Sequence, residues 1–241
     1  MCYYSSIKSN TKDMVREFDA IFPDSELFKP VYSASAFTFP KMPVISSNTP
    51  GNISLFQWGL IPFWVKNVEQ VDSIRQRTLN ARSETIFEKP AFRQIIRSKR
   101  CLVIVDGFYE WRHIERRKYP YYITLKSRTI FSLAGIWDTW SNPDSNEKLD
   151  TFSVVTTEAN ELMAKVHNSR KRMPLILPKE QEKTWLDPKQ NETQIKSMMV
   201  PYNSNDMKAY PVTNKLSRQG YNTTDQTVNV PFEYQELPEL N

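Results

Sequence analysis

Glycine is scarce and proline abundant in this chain, with 5 Gly against 16 Pro in 241 residues. Glycine supplies positive-φ turns and lets backbone approach a phosphate closely, so the shortage argues against Gly-rich nucleotide loops. Proline fixes φ and removes a backbone donor, so it stops helices and interrupts strands. A chain of many short elements follows, and a doubly wound parallel sheet with long helices does not fit. The length allows one large domain or two small ones and is ample for a sizeable core. A hydrophobic share of 39% and an aromatic share of 12% are those of a globular protein. No stretch approaches the length of a membrane-spanning helix. The first residues also lack the basic, apolar and cleavage-site order of a secretory signal. A cytoplasmic location is expected, with nucleoid association if the source is bacterial.

Periodicity predicts a helix over Thr11 to Phe22, with Thr11 as N-cap and Met14, Val15, Phe18, Ile21 and Phe22 on one face. Strands are expected at Ile53 to Ile61, Cys101 to Val105, Phe108 to Arg112, Tyr121 to Leu125, Ile130 to Ile136, Thr151 to Thr156, Leu175 to Leu177 and near Lys208 to Val212. Short helical pieces are expected at Ser83 to Phe87, Pro90 to Arg97, near Glu180 to Leu186 and near Glu192 to Met199. A helix over Glu158 to Val166 delivers His167 at its C-terminal end. The polar stretch Ser141 to Lys148 reads as a hairpin loop. The fold class that fits is α+β, one domain over 1–215 with a curved, barrel-like mixed β-sheet flanked by short helices. A polar, extended tail follows over 216–241.

Two cysteines, Cys2 and Cys101, exclude a disulfide framework and a Cys-rich zinc site. Two histidines, His113 and His167, exclude an all-His metal site, and no clustered Asp/Glu spacing points to a carboxylate one. No cofactor is expected. The net charge of +5 is modest, but basic residues bunch at Arg75 to Arg82, Arg93 to Arg100, Arg112 to Lys118 and Arg170 to Arg172. Such runs are usually solvated faces; beside aromatic-rich segments they also suit a phosphate backbone, which composition alone does not favour. Cys2 follows the initiator Met and is small enough for Met1 to be removed. A terminal cysteine carries an amine and a thiol on adjacent carbons. An aldehyde captured by the amine as a Schiff base can then be closed by the sulfur into a thiazolidine. If Met1 is retained, the nitrogen is acylated and that ring cannot form.

Four segments stand together: Met1-Cys2, Leu79-Asn80-Ala81-Arg82-Ser83-Glu84-Thr85, Arg100-Cys101-Leu102 running to Asp106-Gly107-Phe108-Tyr109-Glu110-Trp111, and His167 followed by Arg172-Met173-Pro174. With Trp58-Gly59-Leu60-Ile61-Pro62 and Ala134-Gly135-Ile136-Trp137, they resemble the SRAP (SOS response-associated peptidase) family from Cys2 to Val212. The resemblance implies a sensor of abasic sites in single-stranded DNA that cross-links to them through its N-terminal cysteine. Partners are then abasic single-stranded DNA and no membrane, with the protein a monomer. The family name records an alternative, a thiol autopeptidase acting on its own N-terminus. A non-catalytic single-strand binding module is a third reading, and AP-lyase chemistry accompanies the first.

Candidate catalytic residues are Cys2, Asn80, Glu110 and His167. Glu110 sits among aromatics, where desolvation raises a carboxyl pKa toward that of a useful acid and base. It reads equally as an exposed strand residue paired with an arginine. His167 suits proton transfer or a helix C-cap. The resemblance makes Asn80 the amide that orients the terminal residue; by propensity it is a turn or cap residue. Candidate DNA-binding residues are Arg82, Arg172, Trp58, Trp64 and Tyr4. Arg82 and Arg172 resemble phosphate contacts, with an ion pair to Glu84 or Glu88 the alternative for Arg82. Trp58, Trp64 and Phe63 suit base stacking or core packing. His113 and Cys101 are read as structural. Two departures from the family pattern stand out. Cys2-Tyr3-Tyr4 replaces the usual Cys-Gly-Arg, so Tyr4 is available to stack on a base. Asn168-Ser169-Arg170-Lys171 lengthens the loop between His167 and Arg172.

Overall fold

The computed structural model describes residues 2–217 and 224–240. In chain order the strands are β1 (Tyr4–Ile7), β2 (Val31–Ser35), β3 (Lys41–Ser46), β4 (Ile53–Trp58), β5 (Asn80–Arg82), β6 (Arg100–Val105), β7 (Gly107–Ile114), β8 (Arg117–Leu125), β9 (Phe131–Ser141), β10 (Lys148–Glu158), β11 (Arg172–Pro174) and β12 (Met207–Pro211). The helices are short: α1 (Thr11–Phe18), α2 (Val71–Arg77), α3 (Glu161–Val166), α4 (Glu182–Leu186) and α5 (Glu192–Ser197).

Five strands close a ring in the order β10-β4-β3-β6-β9, with β9 pairing back onto β10. The β4–β10 seam is parallel and the other pairings of the ring are antiparallel. Closure removes the exposed edges that an open sheet would present. The expected mixed, barrel-like sheet flanked by short helices is therefore the architecture found. A second sheet runs β12-β8-β7-β1-β2. The chain passes from barrel to second sheet at Asp106, between β6 and β7. Gly107 is needed there because a Cβ would come 2.2 Å from the Tyr122 ring.

The helix expected over Thr11 to Phe22 is shorter. Asn10, not Thr11, caps it by accepting from the Asp13 N–H, and Asp19 ends it in the left-handed region at φ 49°. Ile21 then lies exposed outside the helix, bridged to Asn52. The stretches at Ser83 to Phe87 and Pro90 to Arg97 are turns, with one 3-10 turn at Ile95–Arg97. Leu175 to Leu177 forms only a bridge to Leu133, and the pairing strand lies just before it, at β11. Ser141 to Lys148 is the β9–β10 hairpin connection, with Ser141 opposite Lys148.

The polar C-terminal stretch does not run free. In its described part, Val228 and Asn229 are buried, and Pro231 bridges Val212. The Asn229 amide donates to the Tyr109 hydroxyl at 2.8 Å, and the Tyr234 hydroxyl donates to the Val212 carbonyl at 2.7 Å. This segment covers an aromatic cluster of Tyr109, Tyr122 and Tyr210 on the outer side of the second sheet. Polarity of sequence did not exclude docking, because much of the bonding is backbone and side-chain hydrogen bonds.

Asp106 ties these parts together. It is 3% exposed. One carboxylate oxygen accepts from the Lys8 N–H at 2.6 Å and the Ser9 N–H at 3.1 Å, and the other from the Ser6 hydroxyl at 2.5 Å and the Tyr122 hydroxyl at 3.2 Å. Asp106→Ala removes the acceptor of the part-buried Lys8 and Ser9 N–H groups and leaves the buried Ser6 and Tyr122 hydroxyls only each other and the Gly107 carbonyl. Urea unfolding is expected to show a loss of about 2–4 kcal/mol, since bonds to charged groups are worth about 1.5–3 kcal/mol each and are not additive.

Candidate active site

β1 lies between β2 and β7, with Tyr4 opposite Ser35 on one side and Tyr109 on the other. Cys2 precedes this strand, and the Ala36 N–H donates to the Tyr3 carbonyl at 2.8 Å, extending the pairing toward the N-terminus. Side chains alternate along β7. Tyr109 joins the outer aromatic cluster, and its hydroxyl donates to the Tyr32 carbonyl. Glu110 is turned the other way and is 3% exposed. Helix α3 packs on β7. Its N-cap is Asn160, which accepts from the Met163 N–H at 2.9 Å. The expected helix thus starts later than Glu158 but ends as foreseen, with His167 at its C-cap.

These elements surround a cavity of about 460 Å³ lined by Tyr3, Tyr4, Glu110, His113, His167 and Arg170, among others. His113, read as structural, is part of that lining. Cys2 is not among the lining residues; it is fully buried, its thiol donating weakly to the Tyr4 carbonyl at 3.8 Å. Burial pushes the thiol well above its ordinary pKa, and the charge of Glu110 adds to the shift. In the chain with Met1 in place, the Cys2 nitrogen is an amide.

Burial also sets the two proton-carrying groups. The Glu110 carboxyl is raised from 4.5 to about 7 by desolvation. His167 is lowered from 6.5 to about 4, mainly by desolvation. His167 Nδ1 lies 2.8 Å from the Arg172 carbonyl. A carbonyl only accepts, so Nδ1 carries the proton and Nε2 is the acceptor nitrogen of this tautomer. The 3.7 Å separation between Nδ1 and Glu110 Oε2 has the geometry of an ion pair. Burial disfavours the charged form of each partner, and with the imidazole neutral near neutral pH the contact is not an ion pair there.

Asn80 opens β5, opposite Val154 of β10. Both polar atoms of its side chain are buried without a hydrogen-bond partner among the described residues. An orphan amide costs about 1–3 kcal/mol, which calls for an explanation in terms of a ligand or bound water.

The candidate DNA contacts divide sharply. Trp58 is fully buried, stacked on Phe152 at 5.7 Å, and its indole N–H donates to the Leu79 carbonyl. No base can reach it, so Trp58 is a core residue. Trp64 and Phe63 are 44% and 50% exposed on the following loop, which is pinned where the Phe63 N–H donates to Asp138. Tyr4 lines the cavity, edge-on to Trp111 at 5.0 Å. Arg82 is exposed, and its supposed partner Glu84 is held by Arg172 instead. Arg172 gives both ends of its guanidinium to Glu84, at 2.7 and 3.0 Å, and also donates to the Thr156 carbonyl. Its charge is thereby neutralised. Arg170 and Tyr3 were not singled out from the sequence; the basic run at 170–172 and the position beside Cys2 were the available signals.

Among the described residues no helix is long and apolar enough to cross a membrane, and no group of three or more His, Cys, Asp or Glu is placed to hold a metal ion. Comparison with known proteins places this geometry in context. The chain is 35% identical over 229 residues to "Abasic site processing protein YoqW" of Bacillus subtilis, covering 93% of this chain and 98% of that protein. It is 29% identical over 192 residues to "Abasic site processing protein HMCES" of Xenopus tropicalis, covering 68% of this chain and 56% of that protein. A crystal structure of a Bacteroides thetaiotaomicron protein superposes with a TM-score of 0.91 at 38% identity, covering 96% of this chain and all of that one. The family described as SOS response associated peptidase (SRAP) matches residues 1–219, and the chain belongs to that family.

Proposed function

We propose that this protein processes abasic sites in single-stranded DNA, and that Cys2, once Met1 is removed, captures the open-chain aldehyde of the abasic sugar as a thiazolidine. The observation that carries the reading is that Glu110 and His167 line one cavity 3.7 Å apart, with the buried Cys2 within electrostatic reach of Glu110. The names of the relatives, all abasic site processing proteins, point the same way.

Removal of Met1 turns the Cys2 nitrogen into an α-amine, whose ordinary pKa of about 7.7–8.0 leaves a useful neutral fraction near neutrality. The amine adds to the aldehyde carbon, giving a carbinolamine. Glu110, held near 7, donates a proton to the departing hydroxyl, and water leaves as the C=N bond forms. The thiol then adds across that bond: sulfur bonds to carbon, and the proton ends on nitrogen. Because both groups belong to one residue, closure is intramolecular and effective molarities of about 10⁵ M or more are attainable. Neutral His167 orients the acid and accepts hydrogen bonds at Nε2. The orphan amide of Asn80 suits a bond to the terminal amine or the sugar. Arg82, Tyr4 and Trp64 are the residues we assign to the strand itself.

Two features weigh against a thiol peptidase. Such chemistry needs a thiolate beside an imidazolium, whereas here the thiol is raised and the imidazole lowered.

Cys2→Ala, which still permits Met1 removal, is expected to form no heat-stable adduct with an abasic oligonucleotide on a denaturing gel, while the wild type does. Binding unaffected by Cys2→Ala and indifferent to the abasic site would instead favour a passive binding module. Glu110→Gln is expected to slow adduct formation by about 10²-fold or more and to remove the rate inflection near 7.

Stability should follow the same groups. The folded Glu110 keeps a proton that the unfolded chain releases, so its contribution to stability falls as pH rises from 4.5 through about 7. His167 acts in the opposite sense, and its contribution falls as pH drops from 6.5 through about 4. Thermal melts of Glu110→Gln are expected to lose the first slope and keep the second.

A further inference from the structure

We propose that Arg170 grips a backbone phosphate where the DNA strand leaves the cavity, and that the turn between His167 and Arg172 is built to hold it there. The inference rests on the reading that abasic DNA occupies the cavity.

A second concavity of about 690 Å³ adjoins, lined by Arg82, Glu158, Ala159, Ala164, Arg170, Lys171 and Arg172. Arg170 is the residue that the two concavities share. A sugar seated beside Glu110 carries a phosphate on each side, and a strand passing from one concavity to the other must cross Arg170. The charges of this groove are not equivalent. Arg172 is neutralised by Glu84. Arg82, Arg170 and Lys171 are exposed and form no ion pair among the described residues. Of these three, only Arg170 also reaches the catalytic cavity.

The turn is fixed at both ends. The Asn168 side chain brackets the backbone of His113, accepting from its N–H at 2.9 Å and donating to its carbonyl at 2.7 Å. At the far end Lys171 takes φ 49°, a left-handed conformation uncommon outside glycine. Its N–H donates to the His167 carbonyl at 2.8 Å, and its own carbonyl accepts from the Ala159 N–H at 3.0 Å. Arg170 therefore projects from a preorganised turn, and little backbone freedom is lost when it binds. A guanidinium fork matches phosphate oxygens geometrically.

The test uses a single-stranded oligonucleotide bearing a tetrahydrofuran abasic analogue, which has no aldehyde and cannot cross-link. Its affinity is followed by fluorescence anisotropy through a salt series. Arg170→Gln is expected to weaken binding about three- to tenfold at low salt and to make the slope of log K against log salt shallower by about 0.7, the value of one single-strand phosphate contact. Arg170→Lys is expected to recover the slope. Arg16→Gln, at a residue paired with Asp13 on α1, is expected to keep it. If wild type binds and Arg170→Gln matches it in affinity and slope, the assignment is wrong. An equal loss of slope in Arg16→Gln also overturns it, because the effect is then one of net charge. A wild type that binds the analogue but forms no adduct with a natural abasic strand defeats only the covalent reading. A wild type that binds neither defeats both.

Discussion

One buried carboxylate sets the geometry of the whole site. Asp106 stands where the chain leaves the barrel, and it gathers the first strand, the loop after it and Tyr122 of β8 around two oxygens. That contact fixes the register of β1 on β7, with Ser6 opposite Gly107 and Tyr4 opposite Tyr109. Strand side chains alternate, so a slip of one residue would exchange the two faces of β1 and move Tyr4 off Tyr109. The N-terminal residues of many domains fray. Here Tyr4–Ile7 is an inner strand of the second sheet, so Cys2 is anchored two residues before a fixed strand.

The interior of the site and its rim follow opposite electrostatic rules. Inside, desolvation dominates: it drives a carboxyl up to about 7 and an imidazole down to about 4, so at neutral pH the imidazole is neutral and the carboxyl is shared between its protonated and ionised forms. Outside, the exposed basic side chains of Arg82, Arg170 and Lys171 line the rim. On the function proposed above, a polyanion would be attracted to this basic rim while the reacting sugar sits beside the desolvated groups. Carbonyl addition and loss of water suit such a centre, because each needs a group that can both give and take a proton.

Much of this was legible in the sequence, for identifiable reasons. Strands such as Arg100–Val105 and Lys148–Glu158 are dense in β-branched and apolar residues, so their cores were located correctly. Their ends were not, because Pro120 sits inside β8 and polar residues continue β9 and β10. Closure of the barrel depends on β4 pairing in parallel with β10, a contact between segments far apart in sequence and invisible to local pattern. Glu110 and His167 were picked out by motif and do line one cavity, and the raised Glu110 carboxyl was legible in its aromatic setting, whereas the lowered His167 imidazole was not. Trp58 and Trp64 lie six positions apart and share a residue type, yet one is core and the other surface; only the end of β4 separates them. Arg172 looked like a free cation because Glu84, its partner, lies on another segment.

The segment over 224–240 lies beyond the 1–219 span matched by the family, yet it roofs the aromatic face behind Glu110 and ties Arg112 and Arg117 of the same hairpin through Pro238 and Glu236. Relatives that differ in this stretch must shield that face by other means. A shortened version ending at the family boundary would bare Tyr109, Tyr122 and Val212 together, an apolar surface of the kind that promotes self-association. Boundaries for recombinant work are therefore better drawn from this roof than from the extent of the shared motif.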